Sequence, residues 1–315
     1  MRLPACLCLA VFACCQAMAE PVTIENCGRE LVFDAPPERA VIADLNMTEM
    51  AFALGLQPSM VGVTGLTGWY KVSPEFMDEL GDIPELAPKY PSLENLLAAE
   101  PDFFMSGWYY GMEPGGEVTP DTLEPYGVTT FVLTESCIHV DDDRPVASMD
   151  LLYDDMIALG LIFDRSDEAE ALVADWRRRI DAIAEATAGR EPLRVFLYDS
   201  GEERPFTSGR YAIPNAMIGA AGGVNVMADM DTSWGRTSWE TVAVRDPEFL
   251  ILLDYEDDAG YLARLDFLKQ HPAMSQTRAV INERFVPLRY AELTPGPANV
   301  EAIEKLARAM YPDAF

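Results

Sequence analysis

Between Asp167 and Ala188 the apolar residues Leu172, Val173, Trp176, Ile180, Ile183 and Ala184 fall on one stripe at helical spacing, which predicts a single long helix. Ser166 is placed to cap its start, and Asp167, Glu168 and Glu170 complement the positive end of its dipole. Gly189 offers the left-handed stop. At 1.5 Å per residue the helix would run roughly 33 Å, about the width of a small domain.

A similar pattern lies on either side of that helix. Ser92, Glu94, Pro101, Asp102 and Phe103 match Ser238, Glu240, Pro247, Glu248 and Phe249, and an apolar run follows each set. In each copy a serine caps a short helix, proline breaks the chain, and a buried strand follows. The reading is an α/β chain: two Rossmann-like lobes joined by a single long α-helix.

Shorter signals fill in the lobes. Alternation from Val22 to Phe33 predicts a hairpin turning at Cys27-Gly28. Val41–Leu45, Met60–Val63, the run from Phe103, and Val128–Leu133 read as strands of the first lobe, with Thr48 capping a helix that stops at Gly55. Asp150–Gly160 leads into the long helix. Arg194–Tyr198, Phe249–Leu253 and Phe285–Leu288 read as strands of the second lobe, and Pro214–Ala221 and Pro297–Met310 as helices. The organisation expected is residues 1–19 as a signal peptide, 20–145 as the N-terminal lobe, 146–188 as a helical linker and 189–315 as the C-terminal lobe.

The 315 residues suit two domains, and no later apolar run approaches the roughly 18 residues that cross a bilayer. Arg2, the apolar stretch Leu3–Phe12 and Ala17-Met18-Ala19 read as a cleavable secretory signal; a lipid anchor would instead use Cys14. Cleavage leaves Cys27 and Cys137, an even pair in an oxidising compartment, and one disulfide is expected over the alternative of two buried thiols. The formal net charge of −29 opposes binding to nucleic acid or anionic lipid.

Catalytic signatures are thin: the chain has no GxSxG, HExxH, P-loop or GxGxxG pattern. With only His139 and His271, a site built on a histidine cluster is not expected, and Asp141-Asp142-Asp143 lacks the spacing of a calcium loop. The ends of the strands are instead rich in rings: Trp69, Tyr70, Trp108, Tyr109, Tyr110, Tyr198, Phe206, Tyr211, Trp234, Tyr255 and Tyr290. Some of these must be core, but as a group they suit a cleft for a large, flat or conjugated ligand. Arg210 and Arg236 in the same loops could pair with an anionic group or form surface ion pairs. Glu94 and Glu240 occupy equivalent first-turn positions, which suits either helix-start stabilisation or a two-point docking surface.

These markers together resemble the periplasmic binding proteins of iron-siderophore, haem and vitamin B12 ABC importers, the class with a rigid helical backbone, over essentially the whole mature chain. The markers are Asp34-Ala35-Pro36-Pro37-Glu38-Arg39-Ala40-Val41, Thr48-Glu49 with Leu54-Gly55, and Pro91-Ser92-x-Glu94 with Pro101-Asp102. Further markers are Pro205-Phe206-Thr207-Ser208-Gly209, Ala221-Gly222-Gly223-Val224-Asn225-Val226 and Ser238-x-Glu240. Asn26-Cys27-Gly28 with Glu135-Ser136-Cys137, the stretch Thr207–Asn215, and Thr232-Ser233-Trp234-Gly235 resemble a subgroup proposed to bind a deazaflavin cofactor precursor. The ligand-contacting loops of the vitamin B12 binders are not reproduced.

The resemblance implies an exported, periplasmic, monomeric receptor and not an enzyme. It would hold a metal chelate, tetrapyrrole, corrinoid or cofactor-like molecule between its lobes, any metal arriving inside the ligand and no cofactor being resident. In that family one glutamate per lobe salt-bridges arginines of the permease dimer, which works with its ATPase subunits; the matching residues are Glu94 and Glu240. The rival reading is a secreted α/β hydrolase or metal-dependent enzyme on a similar scaffold.

Overall fold

The computed structural model describes residues 21–69, 72–141, 144–255 and 260–315. The expected signal segment, Cys14 and Tyr70 lie outside these residues, as do Asp142 and Asp143.

The first lobe opens with β1 (Val22–Asn26) and β2 (Arg29–Phe33), an antiparallel hairpin that turns at Cys27 and Gly28, both at positive φ. It continues through β3 (Ala40–Ala43), α1 (Leu45–Ala53), β4 (Met60–Thr64), α2 (Pro74–Leu80) and β5 (Glu85–Ala87). α3 (Leu93–Ala98), β6 (Phe103–Trp108), β7 (Gly111–Met112), α4 (Pro120–Leu123) and β8 (Thr129–Val132) complete it. The sheet order is β5-β4-β3-β6-β8, every pair parallel, with β7 against the tail of β6. β3 and β6 are buried along their whole length, as a parallel sheet covered on both faces requires.

α5 (Asp150–Ile162) and α6 (Ser166–Thr187) follow as a packed antiparallel pair. The second lobe then runs β9 (Leu193–Tyr198), β10 (Phe206–Ser208), α7 (Ile213–Ala220), β11 (Gly223–Asn225), β12 (Trp234–Arg236) and α8 (Trp239–Arg245). It ends with β13 (Phe249–Asp254), α9 (Gly260–Gln270), α10 (Arg278–Ile281), β14 (Phe285–Arg289), α11 (Tyr290–Leu293) and α12 (Ala298–Met310). Its parallel sheet has the order β11-β9-β13-β14, and β10 and β12 form a separate antiparallel ribbon.

α6 buries Ala169, Val173, Trp176, Ile183 and Thr187, and it packs against α5, α7 and α12. The Arg179 guanidinium grips both Glu304 oxygens, at 2.8 and 3.0 Å, and so ties α6 to α12. Two capping expectations are corrected. Ser166 is the first helical residue of α6, Arg165 stands at the cap, and no side chain closes that end. In α1 the cap is Asp44, whose carboxylate accepts from Leu45 N–H; Thr48 lies a turn later and bonds back to Asp44 O at 2.7 Å. Ala184, expected on the apolar stripe, is exposed.

The repeated unit forms as expected. Ser92 Oγ accepts from Asn95 N–H and Ser238 Oγ from Thr241 N–H, each at 3.1 Å, to start α3 and α8. Glu94 and Glu240 are exposed at the same place in the two first turns.

Candidate ligand-binding cleft

In each sheet the strand order reverses once, between β3 and β6 in the first lobe and between β9 and β13 in the second. At such a switch point the connections leave on opposite faces and open a crevice beyond the carboxyl ends of the strands. The residues just past those ends are Asp44, Tyr109 and Tyr110 in the first lobe, and Asp199 and Tyr255 in the second. A cavity of about 510 Å³ lies between these ends. The first lobe lines it with Tyr109, Tyr110 and His139, and the second with Asp199, Phe206, Ser233, Trp234, Leu253, Tyr255, Tyr290, Leu293 and Thr294.

The tail of β6 is bent sharply to present its tyrosines. Tyr109 takes a left-handed backbone (φ 67), Gly107 and Tyr110 exchange backbone bonds at 3.0 and 2.8 Å, and Ser106 Oγ donates to Tyr110 O at 3.1 Å. Gly111, at φ 111, allows the bend: a Cβ there would sit 2.6 Å from both Ala43 Cβ and Ser106 Oγ. Tyr109 is left 53% exposed, edge-on to His139 with ring centroids 4.8 Å apart.

His139 ends a 3₁₀ helix, Thr134–His139, that also carries Glu135 and Cys137. Cys137 is disulfide-bonded to Cys27, with the Cα atoms 5.3 Å apart. His139 Nε2 lies 3.3 Å from Ser233 Oγ, a bond between the lobes. Burial lowers the His139 pKa, which favours the neutral ring.

Glu135 is buried behind the cavity. It accepts from Tyr110 OH at 2.8 Å and Trp234 Nε1 at 3.3 Å on one oxygen, and from Ile213 N–H on the other. Burial outweighs these three donors and pushes its pKa up to about 7. Asp199 is also pushed up, chiefly by burial, and accepts from Tyr255 OH at 3.2 and 3.3 Å. Tyr290 OH donates to Asp44 at 3.2 Å, another contact between the lobes. The rings are paired: Phe206 stacks on Trp234 at 5.9 Å, and Tyr255 on Tyr290 at 6.4 Å.

Of the residues singled out from the sequence, Tyr109, Tyr110, Phe206, Trp234, Tyr255 and Tyr290 come together here. Trp108 is buried instead with Met112, Val132 and Cys137, and Tyr198 packs edge-on against Trp239 at 5.0 Å in the core of the second lobe. Trp69 lies against Tyr90 at 6.1 Å, with the Lys89 ammonium 4.5 Å from its ring centroid. Tyr211 OH donates to Asp231 at 2.9 Å, and Arg210 pairs with the same carboxylate at 3.5 Å. Arg236 donates to Arg204 O at 3.0 Å and stands 5.5 Å from the Phe206 ring centroid. None of these six side chains, Trp108, Tyr198, Trp69, Tyr211, Arg210 and Arg236, lines the cavity. His139, Asp199 and Glu135 were not singled out as ligand residues. The signals for the segment that holds two of them were the pairing of Cys137 and the Glu135-Ser136-Cys137 marker.

A family model described as "Periplasmic binding protein" matches residues 41–290. The chain is similar to an uncharacterised ABC transporter substrate-binding lipoprotein of Bacillus subtilis, 22% identical across 94% of this chain and 87% of that one. It is similar to the vitamin B12-binding protein of Vibrio cholerae, 22% identical across 86% and 88% of the two chains. Among solved structures, a periplasmic binding protein from Veillonella parvula superposes with a TM-score of 0.80, at 27% identity across 93% of this chain and 98% of that one.

Proposed function

The chain belongs to the periplasmic binding protein family and is the solute-binding component of an ABC importer; we propose that its cargo is a metal chelate, corrinoid, tetrapyrrole or cofactor-like molecule. The observation that carries this reading is the cavity of about 510 Å³ at the facing switch points, walled by paired aromatic rings from both lobes. That is a volume for a ligand of several fused or chelating rings, and flat rings hold such a ligand at little entropic cost. The vitamin B12-binding relative supports the class of cargo.

The lobes, residues 20–145 and 189–315, act as two stiff halves across the segment 146–188. The loaded protein docks on its permease through Glu94 and Glu240, which stand exposed at matching helix starts. It works as a monomer, binds no nucleic acid and transforms nothing; its relatives named above are binding proteins, which leaves the secreted hydrolase without support. Export runs through the signal at residues 1–19. The lipoprotein relative gives anchoring at Cys14 a specific support, and the mass of the mature N-terminus decides between the two.

The test is to purify the protein from the envelope of its native host and weigh what denaturation releases. One conjugated or metal-bearing molecule per protein is the expected result. An empty protein whose melting temperature ferric chelates, haem, corrinoids and flavins leave unmoved would refute the cargo class.

A further inference from the structure

We propose that the cleft selects cargo that is cationic or rich in hydrogen-bond donors, and rejects polyanions. The inference rests on the receptor reading above and narrows its ligand. Three tyrosines of the wall donate to buried carboxylates: Tyr110 to Glu135, Tyr255 to Asp199 and Tyr290 to Asp44. A phenol has a single O–H. Once that proton is given to a carboxylate, the oxygen can offer a ligand only acceptor capacity. These three phenols therefore turn ring faces and acceptor oxygens to the cavity, with one carboxyl group, Asp199, in the lining and two more, Glu135 and Asp44, hydrogen-bonded behind it.

No lysine or arginine is among the described lining residues. Arg236 and Arg264 pack on the rings of Phe206 and Tyr255, and both donate to backbone carbonyls: Arg236 to Arg204 O, and Arg264 to Asp199 O and Gly260 O. A polyanion entering this cavity would be stripped of water with no lysine or arginine among the described lining residues to compensate it. A cation would gain from the Asp199 carboxylate, whose charge Arg264 and Arg236 partly offset, and from the ring faces together. The surplus of acidic residues over the whole chain adds an attraction of the same sign at long range.

The experiment titrates the purified mature protein with pairs of probes matched in shape and opposite in charge. One pair is a cationic ferric trihydroxamate against an anionic ferric tris-catecholate; the other is a cationic rhodamine against anionic fluorescein. The cationic member should bind at least tenfold tighter, lose affinity as salt rises from 50 to 500 mM (about a fivefold or greater loss), and weaken about tenfold in Asp199→Asn. Tyr109→Arg, at an exposed lining position, should erode the preference if Asp199→Asn does not fold. Equal or tighter binding of an anionic member, or Asp199→Asn without effect on the cation, overturns the inference and leaves the receptor standing. If no probe binds, the charge of the cargo released from the native protein decides: a polyanion overturns the inference, and a cation or neutral donor-rich molecule supports it. No binding and no released cargo would refute the proposed cargo class, and the inference with it.

Discussion

Glu135 of the first lobe accepts the backbone N–H of Ile213, the first residue of α7 in the second lobe. One carboxylate thereby satisfies an otherwise unpaired helix-start amide and joins the lobes behind the cavity. Its pKa, raised by burial to about 7 from an ordinary 4.5, means that the folded chain keeps a proton the unfolded chain has lost. Stability linked to this group is fully present below about pH 4.5 and is lost as pH rises through 7. Asp155, buried on α5 with Thr134, and Glu49 on α1 are shifted the same way, each to about 7. Urea midpoints should therefore fall between pH 5 and 8. Glu135→Gln should flatten that slope by an amount on the order of 1 to 3 kcal/mol. Superimposable pH profiles for the two proteins would show that Glu135 is not the source.

The Cys27–Cys137 bond closes a loop with a sequence separation of 110. The chain-entropy account assigns such a bond about 4 kcal/mol, and native disulfides typically contribute about 2–5. Replacing both cysteines with serine should lower unfolding stability within that range, and the reductant dependence of the wild-type urea curve should vanish in the variant. A variant as stable as the oxidised parent would contradict this.

Two aromatic residues should behave oppositely. Trp108 is buried in the core, so Trp108→Ala should cost about 3–5 kcal/mol of stability. Phe206 lines the cavity and stacks on Trp234, so Phe206→Ala should weaken cargo binding about tenfold at a smaller cost in stability. Calorimetry and thermal melts on the two variants separate wall from core. The assignment fails if Phe206→Ala binds cargo as the parent does.

Glu94→Ala and Glu240→Ala should each change stability by no more than about 1 kcal/mol, because both carboxylates are exposed at helix starts. Cargo affinity should not change, whereas uptake by cells or by permease-bearing vesicles should collapse, most completely in the double variant. Uptake that survives in the double variant would rule these residues out as the docking points.

What could be read from the chain was what local chemistry decides. A capping serine, an acidic first turn and a breaking proline act within a few residues, so the paired units at Ser92 and Ser238 and the 22-residue helix α6 were legible. Sorting the rings was not, because neighbours in a strand face opposite ways. Trp108 turns into the core while Tyr109, one residue on, is re-aimed by its left-handed backbone. Tyr198 is likewise core and Asp199, its neighbour, is wall. The arginines were misplaced for another reason. Their partners, Asp231 and the Arg204 carbonyl, come from loops whose return path no local pattern encodes. Glu135 and His139 ride on a short 3₁₀ helix with no periodic signature of its own.

On the export route proposed above, the disulfide also sets a sequence in time. Cys137 lies between Glu135 and His139, so the bond that straps it to the hairpin turn at Cys27 holds the element that brings His139 to the cleft wall and Glu135 behind it. In a reducing cytoplasm that strap does not form. A newly made chain on that route would therefore reach the membrane with this strap open, and oxidation beyond it would close the strap beside the cleft.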